Sequence, residues 1–192
     1  MKVLVLAFGD SHCASSYYRI FQYQPSLQAL GITLEAFPAN DFSQWEQVRD
    51  YDAVLVQKKL FASGRVEFLR KHSAKLIYDT DDATWHPQGR PHHFLTRWRT
   101  ASRLKRIVQR ADFCIAANDV LAPTLRQWSP RVEVLPMALD GDRWRPKSPD
   151  SAAPLRIGWA GAPVNLPYLE AIESALLKIQ QANPQIEIRV FC

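Results

Sequence analysis

With 192 residues, 47% of them hydrophobic and 22% charged, the chain has the composition of a folded globular protein, which excludes a disordered one. Cys13, Cys114 and Cys192 are odd in number and widely spaced, with no C-x-x-C, so neither a disulfide framework nor a cysteine-rich zinc site is expected and a reducing cytosol suits the chain. The formal charge of +5 points to an anionic partner, and no apolar run approaches the roughly 20 residues of a membrane span.

Residues 3–8 form a continuous apolar run, the pattern of a strand buried on both faces of a parallel sheet. The run stops at Gly9-Asp10 without a cleavage-site pattern, so it reads as a first strand and not as a secretion signal. A polar loop follows, then a helix carrying Ile20, Phe21, Leu27 and Leu30 that is divided at Pro25 and stopped by Gly31. In this loop Gly9 permits close backbone approach, while Ser15 and Ser16 stand where the helix begins and suit an anion or a sugar hydroxyl. Tyr18 and Arg19 come next, and Arg19 offers a two-pronged phosphate ligand.

Residues 32–37 alternate, which places a second strand near a sheet edge, and Ser43 and Glu46 have capping-box spacing ahead of Val48. Apolar runs at 53–56, 75–78, 113–117 and 132–135 supply a third to a sixth strand, with helical segments between most of them. Strands alternating with helices predict right-handed crossovers and a doubly wound, Rossmann-like parallel sheet of the α/β class, with ligands beyond the carboxyl ends of its strands.

Asp79-Thr-Asp81-Asp82 follows the fourth strand and sets three carboxylates at that ligand-bearing edge. Asp81 and Asp82 are the candidates to accept a proton from, or to orient, a hydroxyl nucleophile. His86, His92 and His93 lie close by in sequence, but no zinc-ligand spacing is present and no metal is expected. The segment 94–111 holds Arg97, Arg99, Arg103, Lys105, Arg106 and Arg110 and no acidic residue, with Phe94, Trp98, Ala101, Leu104 and Val108 at helical spacing. It reads as an amphipathic helix whose basic face, through Arg99, Arg103, Arg106 and Arg110, is suited to phosphate groups or anionic lipid. Aromatics are not interleaved to stack bases, so nucleic acid is not an expected partner.

From Pro136 onward the texture changes, and the proline-rich stretch 137–154 reads as a linker between a first domain, 1–136, and the start of a second, 155–192. Residues 155–160 form a strand ending at Gly161, after which Asn165 is expected to cap a helix with Leu166, Leu169, Ile172, Leu176 and Ile179 on one face. Gly161, Ala162 and Asn165 are candidate ligands for a phosphate, since such a turn aims backbone N–H groups above the strand. One strand–helix–strand unit cannot bury both of its own faces, so the second domain is expected to be truncated, with an unpaired edge prone to dimerisation.

Several segments together resemble the GT-B glycosyltransferases of family 4, and the resemblance spans nearly the whole chain. Ser15-Ser-Tyr-Tyr-Arg-Ile20 is similar to the opening of the acceptor domain in one branch of that family. Residues 111–122, Ala-Asp-Phe-Cys-Ile-Ala-Ala-Asn-Asp-Val-Leu-Ala, resemble a family strand-then-helix segment, with Asn118 where serine is usual. Val134-Leu-Pro-Met-Ala-Leu-Asp140 followed by Trp144 and Pro146 resembles the interdomain signature, with Met137 and Ala138 in place of Asn-Gly. Residues 157–169 are similar to the glycine-containing opening of the nucleotide-sugar domain.

The resemblance implies two Rossmann-like domains about a cleft, with a glycan or lipid-linked acceptor held by the first and a nucleoside-diphosphate sugar by the second. It implies no cofactor and no metal, because helix ends and basic side chains neutralise the leaving diphosphate. It further implies retention of anomeric configuration, a role in cell-surface glycan synthesis, and a cytoplasmic place, peripheral at the inner face of the membrane. The family's donor-binding glutamate pair would fall after Cys192, so these residues alone are expected to transfer no sugar. Two other readings stand beside it. Asp79 and Asp81 resemble the D-x-D of magnesium-dependent haloacid-dehalogenase-type phosphatases, with Ala83 where threonine or valine is usual. A non-catalytic module docking to lipid through its basic helix is the third.

Overall fold

The computed structural model describes residues 1–85, 94–146, 148 and 154–192. It divides into two compact units, Met1–Trp144 and Arg145–Cys192. In the first, strands β1 (Lys2–Ala7), β2 (Thr33–Pro38), β3 (Ala53–Gln57), β4 (Leu76–Thr80), β5 (Phe113–Ala116) and β6 (Val132–Val134) form one six-stranded sheet in the order β2-β1-β3-β4-β5-β6. All five pairings are parallel. The unit is thus α/β and Rossmann-like in general kind, with β2 at an edge as its alternation predicts. The strand order reverses between β1 and β3, the switch point at which ligands of such sheets sit.

The apolar run of β1 explains its central place. Leu4 and Leu6 pack with Val54, Val56, Leu76 and Tyr78 on one face, where α3 (Ser63–His72), α4 (Phe94–Arg110) and α5 (Ala122–Arg126) add Val66, Leu69, Leu104, Ile107, Val108 and Leu125. Val3, Val5 and Ala7 face the other way, against Ala53 and Ile20. Each fully buried aliphatic contributes about 1.5–3 kcal/mol relative to exposure, so a polar residue in β1 would be strongly destabilising. The helix expected over residues 14–30 is divided: α1 (Ala14–Arg19), a 3-10 turn at Phe21–Tyr23, and α2 (Gln24–Ala29), with Pro25 in the first turn of α2. There its missing N–H costs no helical bond.

Two local expectations fail for identifiable reasons. Ser43 and Glu46 do not make a capping box; Trp45–Asp50 is a 3-10 helix preceded by Gln44, with no side-chain cap. Its aromatic, Trp45, packs on Phe42 and Phe61, so tertiary contact fixes this segment. In α4 the stripe read as one apolar face is split: Leu104 and Val108 are buried, together with Ile107 beside them, whereas Phe94, Trp98 and Ala101 are exposed.

The second unit pairs β7 (Arg156–Ala160) in parallel with β8 (Glu187–Phe191). Between them lie a 3-10 turn at Pro163–Asn165, α6 (Leu166–Glu170) and α7 (Glu173–Ala182). The single helix expected after Asn165 is therefore broken near Ile172. Among the described residues no helix is long and apolar enough to cross a membrane.

Candidate functional site

Three chain segments meet at the carboxyl ends of β1, β3 and β4, and Gln57 ties the first two together. Its side chain is wholly buried; Oε1 accepts from the Phe8 amide and from Ser16 Oγ, both at 3.0 Å, and Nε2 donates to the Ser15 carbonyl at 3.0 Å and to Ser15 Oγ at 3.2 Å. Ser16 Oγ in turn accepts from the Gly9 amide at 2.9 Å. A buried amide satisfied on both ends contributes more by fixing geometry than by net energy, because losing it leaves several buried groups unpaired. Gly9 is required here by space: a Cβ would come within 2.7 Å of Cys13 Cβ.

Beyond Gln57 the backbone of Lys58 turns into the left-handed region, with φ of 57°. For a residue with a side chain this costs about 1–3 kcal/mol and persists only where surroundings enforce it. The Lys58 amide is held by the Asp79 carbonyl at 2.8 Å, and its ammonium lies over the Phe8 ring at 4.8 Å. That turn brings Nζ to 3.3 Å from Asp81 Oδ1, 3.6 Å from Asp82 Oδ2 and 3.4 Å from Ser15 Oγ. Ser15 Oγ donates to Asp81 Oδ2 at 2.7 Å. The Lys58 and Asp81 side chains are 7% and 8% exposed, so their attraction is little screened, while Asp82 at 45% reaches solvent.

Behind this group Asp79 and Arg19 form a buried pair. Asp79 is not an edge carboxylate as read from sequence but a residue of β4, 2% exposed, because the strand runs two residues further than its apolar stretch. Arg19 donates through Nε and Nη2 to the two Asp79 oxygens and through Nη1 to the Leu135 carbonyl at 2.6 Å. The fork that would clasp a phosphate is thus closed on Asp79. Burial alone would lower the Arg19 pKa, but Asp79 and the field of Asp81 raise it, so the guanidinium stays charged. Tyr18 stands edge-on to Tyr17 at 5.2 Å, and its carbonyl accepts from Gln22 Nε2. Residues 138 and 143, in the stretch read as a linker, lie within the first unit: Ala138 O accepts from Gln22 Nε2 at 2.9 Å, and the Arg143 side chain bonds the Tyr17 hydroxyl.

Arg19 and Lys58 set two cations among the carboxylates of Asp79, Asp81 and Asp82. Carboxylates that accept, a hydroxyl that does both and an ammonium that donates suit a neutral polyhydroxyl better than a phosphate. Ser15, Ser16, Gly9 and Asp81 are brought together here; Gln57 and Lys58 were not singled out in the sequence. The available signal was a Gln-Lys-Lys run directly after an apolar strand.

The other candidates lie elsewhere. The Gly161 amide donates to the Phe191 carbonyl at 3.0 Å, and a Cβ on Gly161 would meet the Trp159 ring at 2.7 Å. The Ala162 carbonyl accepts from the Asn165 amide at 2.9 Å, and the Asn165 side chain makes no cap. The helix it precedes has five residues, too few for much of a dipole. On α4, Arg106 and Arg110 pair with Glu67 at 3.3 and 2.9 Å, Arg103 points at the Leu60 carbonyl at 3.5 Å, and Arg99 is exposed. His86, His92 and His93 lie outside the described residues. Among the described residues no group of three or more His, Cys, Asp and Glu side chains is arranged to hold a metal ion. No family model and no curated protein matches the chain.

Proposed function

We propose that the chain belongs to a GT-B-type glycosyltransferase, its first unit holding the hydroxyl acceptor and its second beginning the nucleotide-sugar site. The observation that carries the reading is the buried Ser15–Asp81–Lys58 group at the reversal of strand order, in which a carboxylate is oriented by a serine and an ammonium. Asp81 is the residue assigned to the reacting hydroxyl and Asp82 to a neighbouring one; Ser15 and Lys58 set the direction of Asp81. A glycan or lipid-linked acceptor and a nucleoside-diphosphate donor follow from the family resemblance, as does action at the cytoplasmic face of the membrane. The phosphatase alternative is disfavoured by one contact. A carboxylate nucleophile must present an oxygen to phosphorus, and both Asp79 oxygens lie on Arg19 in a site 2% exposed.

The test is transfer of labelled sugar from a panel of nucleoside-diphosphate sugars to membrane-derived acceptors, by the protein in the length its gene encodes. Transfer is expected, and Asp81→Asn should lower it by about 100-fold, the scale of a lost orienting contact. Magnesium-dependent hydrolysis of a phosphate ester, abolished by Asp79→Asn and without any donor consumption, would overturn the assignment.

A further inference from the structure

We propose that Phe8 is a stacking platform, and that it selects a ring sugar of the pyranose class as the hydroxyl compound held beside Ser15 and Asp81. Phe8 follows Leu4, Val5, Leu6 and Ala7, wholly buried residues of β1, yet it is 48% exposed and joins neither apolar cluster that packs the sheet. Its place is nonetheless fixed. The Phe8 amide donates to Gln57 Oε1 at 3.0 Å and the next amide, of Gly9, to Ser16 Oγ at 2.9 Å, so the backbone beside the ring is held by buried side chains. A large apolar ring exposed at a rigid point gains little from packing, and it is the arrangement that a preformed binding surface requires.

The ring also lies where it can share a ligand with the polar group of the site. Lys58 Nζ stands 4.8 Å from the ring centroid, 3.3 Å from Asp81 Oδ1 and 3.4 Å from Ser15 Oγ, so one ammonium links the ring to both oxygens over distances that a single sugar ring spans. Asp81 Oδ1 is buried and receives no hydrogen bond among the described residues, which leaves an acceptor for a hydroxyl to fill. A pyranose carries C–H bonds on its faces and hydroxyls around its rim; a phenyl ring meets the face while a carboxylate and a serine meet the rim. An open-chain polyol offers the hydroxyls without the face, and an alkyl alcohol offers apolar surface without the rim. The inference rests on the acceptor reading above for the role of the sugar, but not for its binding.

Saturation-transfer NMR on the protein in the length its gene encodes tests it, with a panel of methyl pyranosides and the matching open-chain alditols as probes. At least one pyranoside is expected to bind, with saturation concentrated on the C–H protons of one ring face, and its alditol to bind about ten-fold more weakly. Phe8→Leu, at an exposed position, keeps the fold and an apolar side chain beneath the Lys58 ammonium but removes the flat ring; it should weaken pyranoside binding about ten-fold, whereas Phe8→Tyr should retain it. Equal binding of pyranoside and alditol, no pyranoside binding, or a Phe8→Leu variant that binds as the wild type does would overturn the proposal. Pyranoside binding through Phe8 by a protein that transfers no sugar would uphold the platform and remove the transferase. Sugar transfer with an unchanged acceptor KM in Phe8→Leu would do the reverse.

Discussion

After β1 the chain passes through Gly9 into α1, and after β7 it passes through Gly161 into α6; both are strand–glycine–helix turns above the end of a parallel strand. The first is fixed by groups remote in sequence: Gln57 from β3, Asp79 and Asp81 from the end of β4, and Leu135 after β6. The second is bounded by the Trp159 ring two positions before it and by the Phe191 carbonyl of the adjoining strand, 30 positions further on. The same local grammar is therefore pinned by polar side chains from other strands in one place and by a ring and a backbone carbonyl in the other. What makes the difference is where the sheet brings other strand ends, not the glycine.

The contrast is broken most directly at Arg19. Arg19→Leu leaves the Asp79 carboxylate buried without its partner and should destabilise the first unit by about 3–5 kcal/mol, whereas Arg19→Leu with Asp79→Leu should recover most of that loss. Urea denaturation read on both variants checks it; a single variant as stable as the wild type would mean that the first turn is no more dependent on distant residues than the second. Smaller effects separate the two glycines. Gly9→Ala drives a methyl into Cys13 Cβ, which sits next to the backbone, and should cost about 1–3 kcal/mol. Gly161→Ala meets the far edge of the Trp159 ring, which can swing aside, and should cost less than about 1 kcal/mol. Equal losses would remove the distinction.

The least of the three effects is the pH dependence of the first unit. Burial tends to raise the Asp112 pKa, but the Leu76 amide at 2.9 Å and the Arg70 guanidinium outweigh it and hold the carboxyl below its ordinary value. Because the folded pKa is depressed, this carboxylate stabilises the unit above its unfolded pKa, near 4, and the contribution is lost as pH falls through the folded value. Acid titration of Asp112→Asn should show a lower stability at neutral pH and a shallower fall below it. In the second unit Glu187 is likewise lowered, by Arg156 and then Arg189, but at the surface, where salt should erase the effect.

The sheet is legible because apolar runs such as residues 3–7 state both the strand and its two-sided burial. Ser15 and Asp81 are legible as members of the edge because both follow such runs closely. Lys58 is not: its left-handed backbone is imposed by the Asp79 carbonyl and by carboxylates from another strand, and no local pattern encodes it. Arg19 shows the converse. Its position beside a loop suggests an exposed fork, and only the third dimension supplies Asp79. For α4 the helix itself is plain from spacing, but periodicity cannot say which side of a helix with bulky residues all around will meet the sheet. Ser43, Glu46 and Asn165 have the residue types of caps, yet the packing of Trp45 on Phe42 and Phe61 sets the first segment, and Asn165 ends a 3-10 turn with its amide on the Ala162 carbonyl.

Arg19 also constrains the order in which the molecule can be made. Its bonds reach partners 60 and 116 positions further along the chain. A helix of six residues has little stability alone, so α1 has no settled place when it leaves the ribosome. The last of its partners, the Leu135 carbonyl, is synthesised only after β2 to β6. The loop bearing Gly9 and Ser15, among the first residues translated, is then closed by a carbonyl among the last of its unit.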